Sequence, residues 1–422
     1  LTEVRYRSTQ NKVSPLRRQE IFMVHQRVLA VLSVSLAFSA CGAGLGKRAA
    51  APEAAPGVDR ARADASRRNP FLGANFFINP EFVENIEATA KAYPSDAEAM
   101  RKVEKYPTGL WLDNIAHVAN IPKWFDEARK QQRASGKPTV PVVIVYDMPN
   151  RDCAAKSSAG ELKVSENGAA RYRTEFIDVI AAHFKNYSDL PIVAIIEPDS
   201  LPNLATNMNL PTCVEAHDVY MESVAYAIQK LGLPNVSLYL DAAHAGWLGW
   251  DGNRERAAKI FKKVLKMAGG VDTIRGFATN TSNYTHLYNR DGMFMEPTDP
   301  CFNELIYVKK LAVMLSDHGI RDKGFIVDTG RNGKGGIRKV WGHWCNIKGA
   351  GLGERPRAAP GPFIDAYFWS KTPGESDGTS DPKAPRFDAE CASNESAQGA
   401  PQAGEWFPAY FVELVRNATP PL

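Results

Sequence analysis

An excess of charge of either sign is what this 422-residue sequence most plainly lacks: 51 basic residues are balanced by 47 acidic ones, leaving +4. Nucleic-acid binders carry a concentrated basic surface, so that balance argues against such a partner. Long apolar runs are also missing. Val28–Phe38 is the clearest hydrophobic stretch, and it is too short to span a bilayer. Histidine is scarce, at eight residues, and neither HExxH nor a Walker sequence occurs. No CxxC pair is present, no dinucleotide-type glycine fingerprint follows the first strand, and no serine nucleophile elbow is expected. These gaps leave no cofactor and no metal to expect. A carboxylate-only calcium site is the one inorganic alternative that the acidic residues keep open.

What is present begins with a leader-like N-terminus. A basic stretch from Met23, the apolar run, and small residues at Ser39–Ala43 make the three-part pattern of a secretory signal, read here as residues 23–43. Residues 1–22 are polar, lack a starting Met and are expected to be upstream, non-native sequence. Residues 44–69, rich in Ala, Arg and Pro with a dibasic Lys47-Arg48, read as a pro-segment or linker, and 70–422 as one catalytic domain. Secretion makes disulfides plausible. Sequons at Asn186, Asn235, Asn280, Asn283, Asn394 and Asn417 fit an extracellular glycoprotein.

From Asn69 onward short apolar runs alternate with helical patterns. The runs are Val142–Val145, Ile192–Ile196, Val236–Leu240, Gly324–Val327 and Ile364–Trp369. The helical patterns include Ala170–Phe184, Val214–Leu231, Arg254–Met267 and Asn303–Asp317. Continuous apolar strands between helices imply a parallel sheet covered on both faces. Each strand ends on a polar group: Asp147, Asp199, Asp241, Asn280, Asp328 and Lys371. In a β/α barrel such ends converge on the active site, and in an open doubly wound sheet they line a crevice. The barrel is the favoured reading.

Acidic residues crowd these strand ends and the loops after them: Asp147, Asp152, Glu197, Asp199, Asp241, Asp328, Glu375, Asp377 and Asp381. Trp111, Trp247, Trp250 and Trp344 lie nearby in sequence or in comparable loops. Paired carboxylates with exposed indoles are the chemistry of glycoside hydrolysis, which needs an acid for the leaving oxygen and a nucleophile or water-activating base. Each residue has a plainer reading. Asp199 would cap a helix well, Asp377 would form an Asx turn in its Gly/Ser-rich loop, and Trp247 and Trp250 would fill a core. Asp147 points away from Tyr146 by strand alternation, whereas alternation does not remove Glu197.

At these residues the sequence resembles a known family. Tyr146–Cys153 (YDMPNRDC), Ile196–Leu201 (IEPDSL), Leu240–Trp250 (LDAAHAGWLGW), Trp341–Asn346 (WGHWCN) and Glu375–Asp381 (ESDGTSD) are similar, in order, to segments of glycoside hydrolase family 6, the cellobiohydrolase II and endoglucanase family. The resemblance implies a distorted β/α barrel with fewer than eight parallel strands and a secreted, monomeric enzyme that hydrolyses cellulose and cello-oligosaccharides with inversion. It assigns Asp199 as proton donor, Asp152 as the neighbour that keeps it protonated, Asp377 as base or the end of a water chain, Asp241 as support, and Tyr146 as the ring pressing on the sugar at the cleavage point. It places Trp111, Asp113, Ser158, His244, Trp247, Trp250, Asn283, Trp344, Lys371 and Glu375 along the sugar path and Arg331 near the acidic cluster. It gives Glu197 no chemical role. It pairs Cys153 with Cys213 and Cys345 with Cys391, leaving Cys301 unbridged, and it often has Cys where this chain has Ser376. The loop after Asp152 and the loop from Lys371 to Trp406 are both long, and long loops roof the cleft into a tunnel. That favours release of cellobiose from non-reducing chain ends over internal cutting.

Overall fold

The computed structural model describes residues 68–288, 298–340 and 342–422. The leader and upstream segments lie outside these residues, as does the linker apart from Arg68 and Asn69.

The barrel is built from β1 (Leu110–Leu112), β2 (Val142–Val145), β3 (Ile192–Ile196), β4 (Val236–Asp241), β5 (Gly276–Thr279), β6 (Gly324–Asp328), β7 (Arg357–Gly361) and β8 (Ile364–Phe368). They pair in the order β1-β2-β3-β4-β5-β6-β8-β7. All neighbours run parallel except the edge hairpin β7–β8. The parallel strands therefore number fewer than eight, as expected. The chain next to β1 meets the chain next to β8 just beyond the regular strands. Thr108 bridges Trp369 in parallel register, Gly109 N–H donates to the Trp369 carbonyl at 3.0 Å, and Trp111 Nε1 donates to the Ser370 carbonyl at 2.8 Å. Among the described residues only this short seam joins β1 to β8.

Alternation along the strands sorts the core. Ile144, Tyr146, Val193, Ile195, Tyr239, Ala278, Ile326, Ala366 and Phe368 fill the interior. Val143, Val145, Ala194, Ile196, Leu238 and Leu240 face outward into a larger cluster shared with the helices. The outer layer contains α1 (Pro80–Ala92), α2 (Ile121–Ser135), α3 (Asp178–Asn186), α4 (Ser200–Thr206), α5 (Pro211–Leu231), α6 (Asp251–Ala268), α7 (Glu304–Asp317) and α8 (Pro408–Arg416). Their ends follow local chemistry. Asn303 accepts from Ile306 N–H to start α7, and Gly136 at φ 65° closes α2.

One expected helix changes its winding midway. The apolar spacing of Ala170–Phe184 predicts a continuous helix, but a π segment occupies Tyr172–Ile177 ahead of α3. Tyr172 lies in that segment and donates its hydroxyl to Glu197 at 2.8 Å. Such bulges recur beside functional sites. The short β1, the edge strand β7 and the helices α1, α2 and α8 are further elements that the strand-and-helix reading did not name.

Candidate active site

The catalytic end is set by two backbone reversals after β3. Glu197 has φ 48° and Asp199 φ 66°, conformations that cost a non-glycine residue of order 1 kcal/mol or more. The first reversal breaks strand alternation. Glu197 accepts from Tyr172 and from the N–H groups of Asp147 and Met148. It is thereby spent on holding β2 against β3. The second leaves Asp199 at the head of α4 without using its side chain as the cap. Its Oδ2 instead accepts from the Tyr146 hydroxyl at 3.3 Å.

Around Asp199 stand two more buried carboxyls. Asp241, at the end of β4, accepts at one oxygen from the N–H groups of Asp199 and Ala243, each at 3.1 Å. Asp152 accepts from Ser158 Oγ at 2.5 Å and from Asn203 Nδ2 at 3.3 Å. Asn203, one helical turn after Asp199, also donates to the Asp199 carbonyl at 2.9 Å and so ties the two acids together. Burial pushes Asp199 well above the usual carboxylate range, and the charges of Asp152 and Asp241 push it further. Burial raises Asp241 to about 7 and also raises Asp152. Neighbouring carboxyls in a dry site cannot all ionise, so Asp199 keeps its proton where an exposed Asp has lost it.

Asp377 is held differently. Both its oxygens accept from Arg331 Nη1, at 2.8 and 2.9 Å, and Oδ2 also accepts from Tyr284 Oη at 2.7 Å and Asn346 N–H at 2.8 Å. Arg331 is almost fully buried behind it, stacked over the Tyr284 ring at 4.3 Å. Burial works against its charge, but the Asp377 carboxylate more than offsets that and keeps the guanidinium ionised.

A cavity of about 1110 Å³ runs over these groups. Its lining includes Tyr146, Asp152, Asp199 and Asp377, and also Trp111, Asp113, Ser158, His244, Trp247, Asn283, Trp344, Lys371 and Glu375. Trp111 stands edge-on to Tyr146 with centroids 5.4 Å apart. Lys371 Nζ lies 5.3 Å from the Trp111 ring centroid and 3.4 Å from Glu375. Beyond the acids, Asn283 Nδ2 contacts His244 Nε2 at 3.0 Å, and Trp247 Nε1 donates to Thr206 at 2.7 Å. Burial drives the His244 pKa down to about 3, helped by Arg338, so this imidazole is neutral and serves as a hydrogen-bonding wall.

Three predicted site residues do not line the cavity. Asp241 and Arg331 sit behind Asp199 and Asp377. Trp250 occupies the cap position of α6, so the expectation that it flanks the sugar path has no counterpart in the cavity wall. Two other acids hold loops. Asp328 accepts from Ser282, Gly330 and Lys371 N–H groups and pins three loops together. Asp381 accepts from Lys383 N–H as a turn former. The elbow exclusion also needs correcting. Gly374–Gly378 (GESDG) does spell G-x-S-x-G, but Ser376 is fully buried and its Oγ is bound to Asn346, Gly378 and Pro401 within a loop. A nucleophile elbow needs an exposed serine between a strand and a helix.

The roof is made by the two long loops touching. Lys156 N–H donates to Asp388 at 2.8 Å, and Gly378 packs on Ser157 so closely that an added Cβ would lie 2.6 Å from Ser157 Cβ. The Cys153–Cys213 and Cys345–Cys391 disulfides anchor the two loops, and Cys301 is buried and unbridged. Two sequons fall here: Asn280 is fully buried and Asn283 lines the cavity, which leaves them inaccessible in the folded chain. Asn186 and Asn394 are exposed. Among the described residues no group of three or more His, Cys, Asp or Glu side chains is placed to hold a metal ion.

A barrel with a roofed cavity, a buried acid kept protonated by its neighbours, and aromatic walls defines a glycoside hydrolase. The chain belongs to the family described as "Glycosyl hydrolases family 6", which residues 71–418 match. It is 42% identical to Exoglucanase 3 of Agaricus bisporus over 357 residues, covering 84% of this chain and 80% of that protein. Exoglucanase 2 of Hypocrea jecorina is 41% identical, with 83% and 75% covered. Among solved structures, cellobiohydrolase II (Cel6A) of Humicola insolens in complex with glucose and cellotetraose aligns with a TM-score of 0.81 at 38% identity, over 84% of this chain and all of that one. The Cel6A catalytic core of Chaetomium thermophilum gives 0.81 at 40%, over 84% and 99%.

Proposed function

We propose that this protein is a secreted, monomeric cellobiohydrolase that hydrolyses β-1,4-glucosidic bonds of cellulose with inversion and releases cellobiose from non-reducing chain ends. The observation that carries the exo reading is the roof. With the loops joined through Lys156 and Asp388 and through Ser157 and Gly378, a glucan chain threads in from an end rather than settling from above.

In this mechanism Asp199 donates its proton to the glycosidic oxygen. Asp152 and Asp241 supply the crowding that keeps that proton in place until the leaving oxygen needs it. Tyr146, bonded to Asp199, presses on the ring at the cleavage point. Water attacks from the opposite face and passes its proton toward Asp377, directly or through a second water. Trp111, Trp247 and Trp344 present the faces or edges on which pyranose rings rest. Asp113, Lys371, Glu375, His244, Asn283 and Ser158 meet the hydroxyls. Among the described residues no helix is long and apolar enough to cross a membrane.

Product analysis on amorphous cellulose, with the anomers resolved at early times, tests the reading. α-Cellobiose is the expected dominant product. A ladder of longer oligomers would replace the exo assignment with an endo one, and β-anomers would remove inversion.

The pH profile carries a second expectation. Activity requires protonated Asp199, so it falls as pH rises through the elevated pKa of that group. Asp152→Asn removes one of the charges that raise it. The alkaline limb of the kcat profile then moves to lower pH, by an amount on the order of one pH unit for each 1.36 kcal/mol of repulsion removed. An unmoved limb would take Asp152 out of its assigned role.

A further inference from the structure

The cavity does not stop at the sugar position walled by Trp111, Asp113, Lys371 and Glu375. It continues to the starts of α1 and α2, where Asn114, His117, Asn120, Glu81, Trp124 and Glu161 line it. None of these belongs to a motif that carried the family resemblance. We propose that this extension is an additional sugar-binding position, taking one more β-linked glucose ring against His117 and Asn120. The proposal rests on the cellobiohydrolase reading above and deepens it.

The chemistry is that of a neutral polyol site. His117 Nδ1 lies 2.6 Å from Asp113 Oδ1, which fixes an exposed imidazole at the edge of the preceding sugar position. Asn114 is fixed too, accepting from His117 N–H at 2.9 Å and donating to Asp113 at 3.2 Å. Asn120 stands at the cap position of α2 without using its side chain as a cap. Its amide therefore has both a donor and an acceptor for hydroxyls. Trp124 closes the wall, with Nε1 held by Glu81 at 3.3 Å, and Lys123 is occupied by the same carboxylate at 2.8 Å. Two carboxylates on the lining, Glu81 and Glu161, argue against an anionic ligand. A flat imidazole beside amide and carboxylate acceptors suits a sugar ring.

A third ring on this side of Asp199 permits a cut that two positions cannot support. Cellohexaose split into two trisaccharides places three rings on each side of the acid, whereas release of cellobiose leaves cellotetraose. An inverting enzyme forms no glycosyl-enzyme, so cellotriose cannot arise by transfer.

The test is chromatography of the first products from cellohexaose, with cellotetraose kinetics measured in parallel. The native enzyme is expected to release some cellotriose from cellohexaose. Asn120→Ala should lower the cellotriose share about 2- to 10-fold, the worth of one lost hydrogen bond. Its kcat/KM on cellotetraose, which fills two positions on each side, should not change. Absence of cellotriose from the native enzyme, or an equal share from the variant, overturns the extra position. Failure to split cellotetraose into cellobiose would instead strike the cellobiohydrolase reading.

Discussion

Asp199→Ala lowers kcat on cellulose by about 10²- to 10⁴-fold, the range set by losing a positioned general acid, and leaves cello-oligosaccharide binding in place. In the proposed mechanism the rings rest on Trp111, Trp247 and Trp344, which line the cavity, and Asp199 meets only the oxygen of the bond being broken. The loss should shrink sharply on a cellobioside with a dinitrophenol leaving group, which departs without a proton. Unfolding does not explain such a result. A carboxyl whose folded pKa is raised favours the fold only while it is protonated, and it costs stability as pH rises above the unfolded value toward the folded one. Burial and the charges of Asp152 and Asp241 place Asp199 in that class. The alanine variant should therefore unfold at or above the native temperature near neutral pH. Equal losses on both substrates, or loss of binding measured by titration with cellotetraose, would take the acid role away from Asp199.

The parts of this site legible in the sequence were those where a buried strand ends on a charge. Val142–Val145 and Ile192–Ile196 were readable to the residue because continuous β-branched runs leave little else to form, and Asp241 followed from β4. Alternation put Asp147 and Tyr146 on opposite faces, and of the two only Tyr146 lines the cavity. It failed one strand further on, since the positive φ at Glu197 reverses the chain and turns that carboxylate toward Tyr172. Periodicity carries no warning of such a reversal. It also cannot register what lies behind a residue. Nothing in GESDG announces that Tyr284 and Asn346, remote in sequence, complete the bonding of Asp377. Asn203 was within reach, because a polar residue one turn after a strand-end acid sits beside it. The helical spacing of Ala170–Phe184 was real, but it did not announce the π winding of Tyr172–Ile177 or the bond from Tyr172 to Glu197.

Arg331→Met should destabilise the protein by about 3–5 kcal/mol, read from the denaturant midpoint, because it strands a buried carboxylate. Asp377 is only 7% exposed in its side chain and accepts four hydrogen bonds, two of them from this guanidinium. Among the described residues no second cation contacts it. The cost belongs to the orphaned charge more than to the bridge, so Arg331→Met with Asp377→Asn should recover most of it. A double variant no more stable than the single one would show that Arg331 acts through its stacking on Tyr284 and its bond to the Ser282 carbonyl instead. The bonding also defines how Asp377 could take part in turnover. Oδ2 accepts from Arg331, Tyr284 and Asn346, whereas Oδ1 accepts only from Arg331. Oδ1 is then the oxygen with a lone pair to offer a water in the cavity. Removing the other bonds one at a time separates holding from chemistry. Tyr284→Phe takes one donor from Oδ2 and leaves Oδ1 as it was, so kcat should change by less than in Asp377→Ala. A Tyr284→Phe loss as large as that of Asp377→Ala would mean that the network around the carboxylate, and not its free oxygen, governs the attacking water.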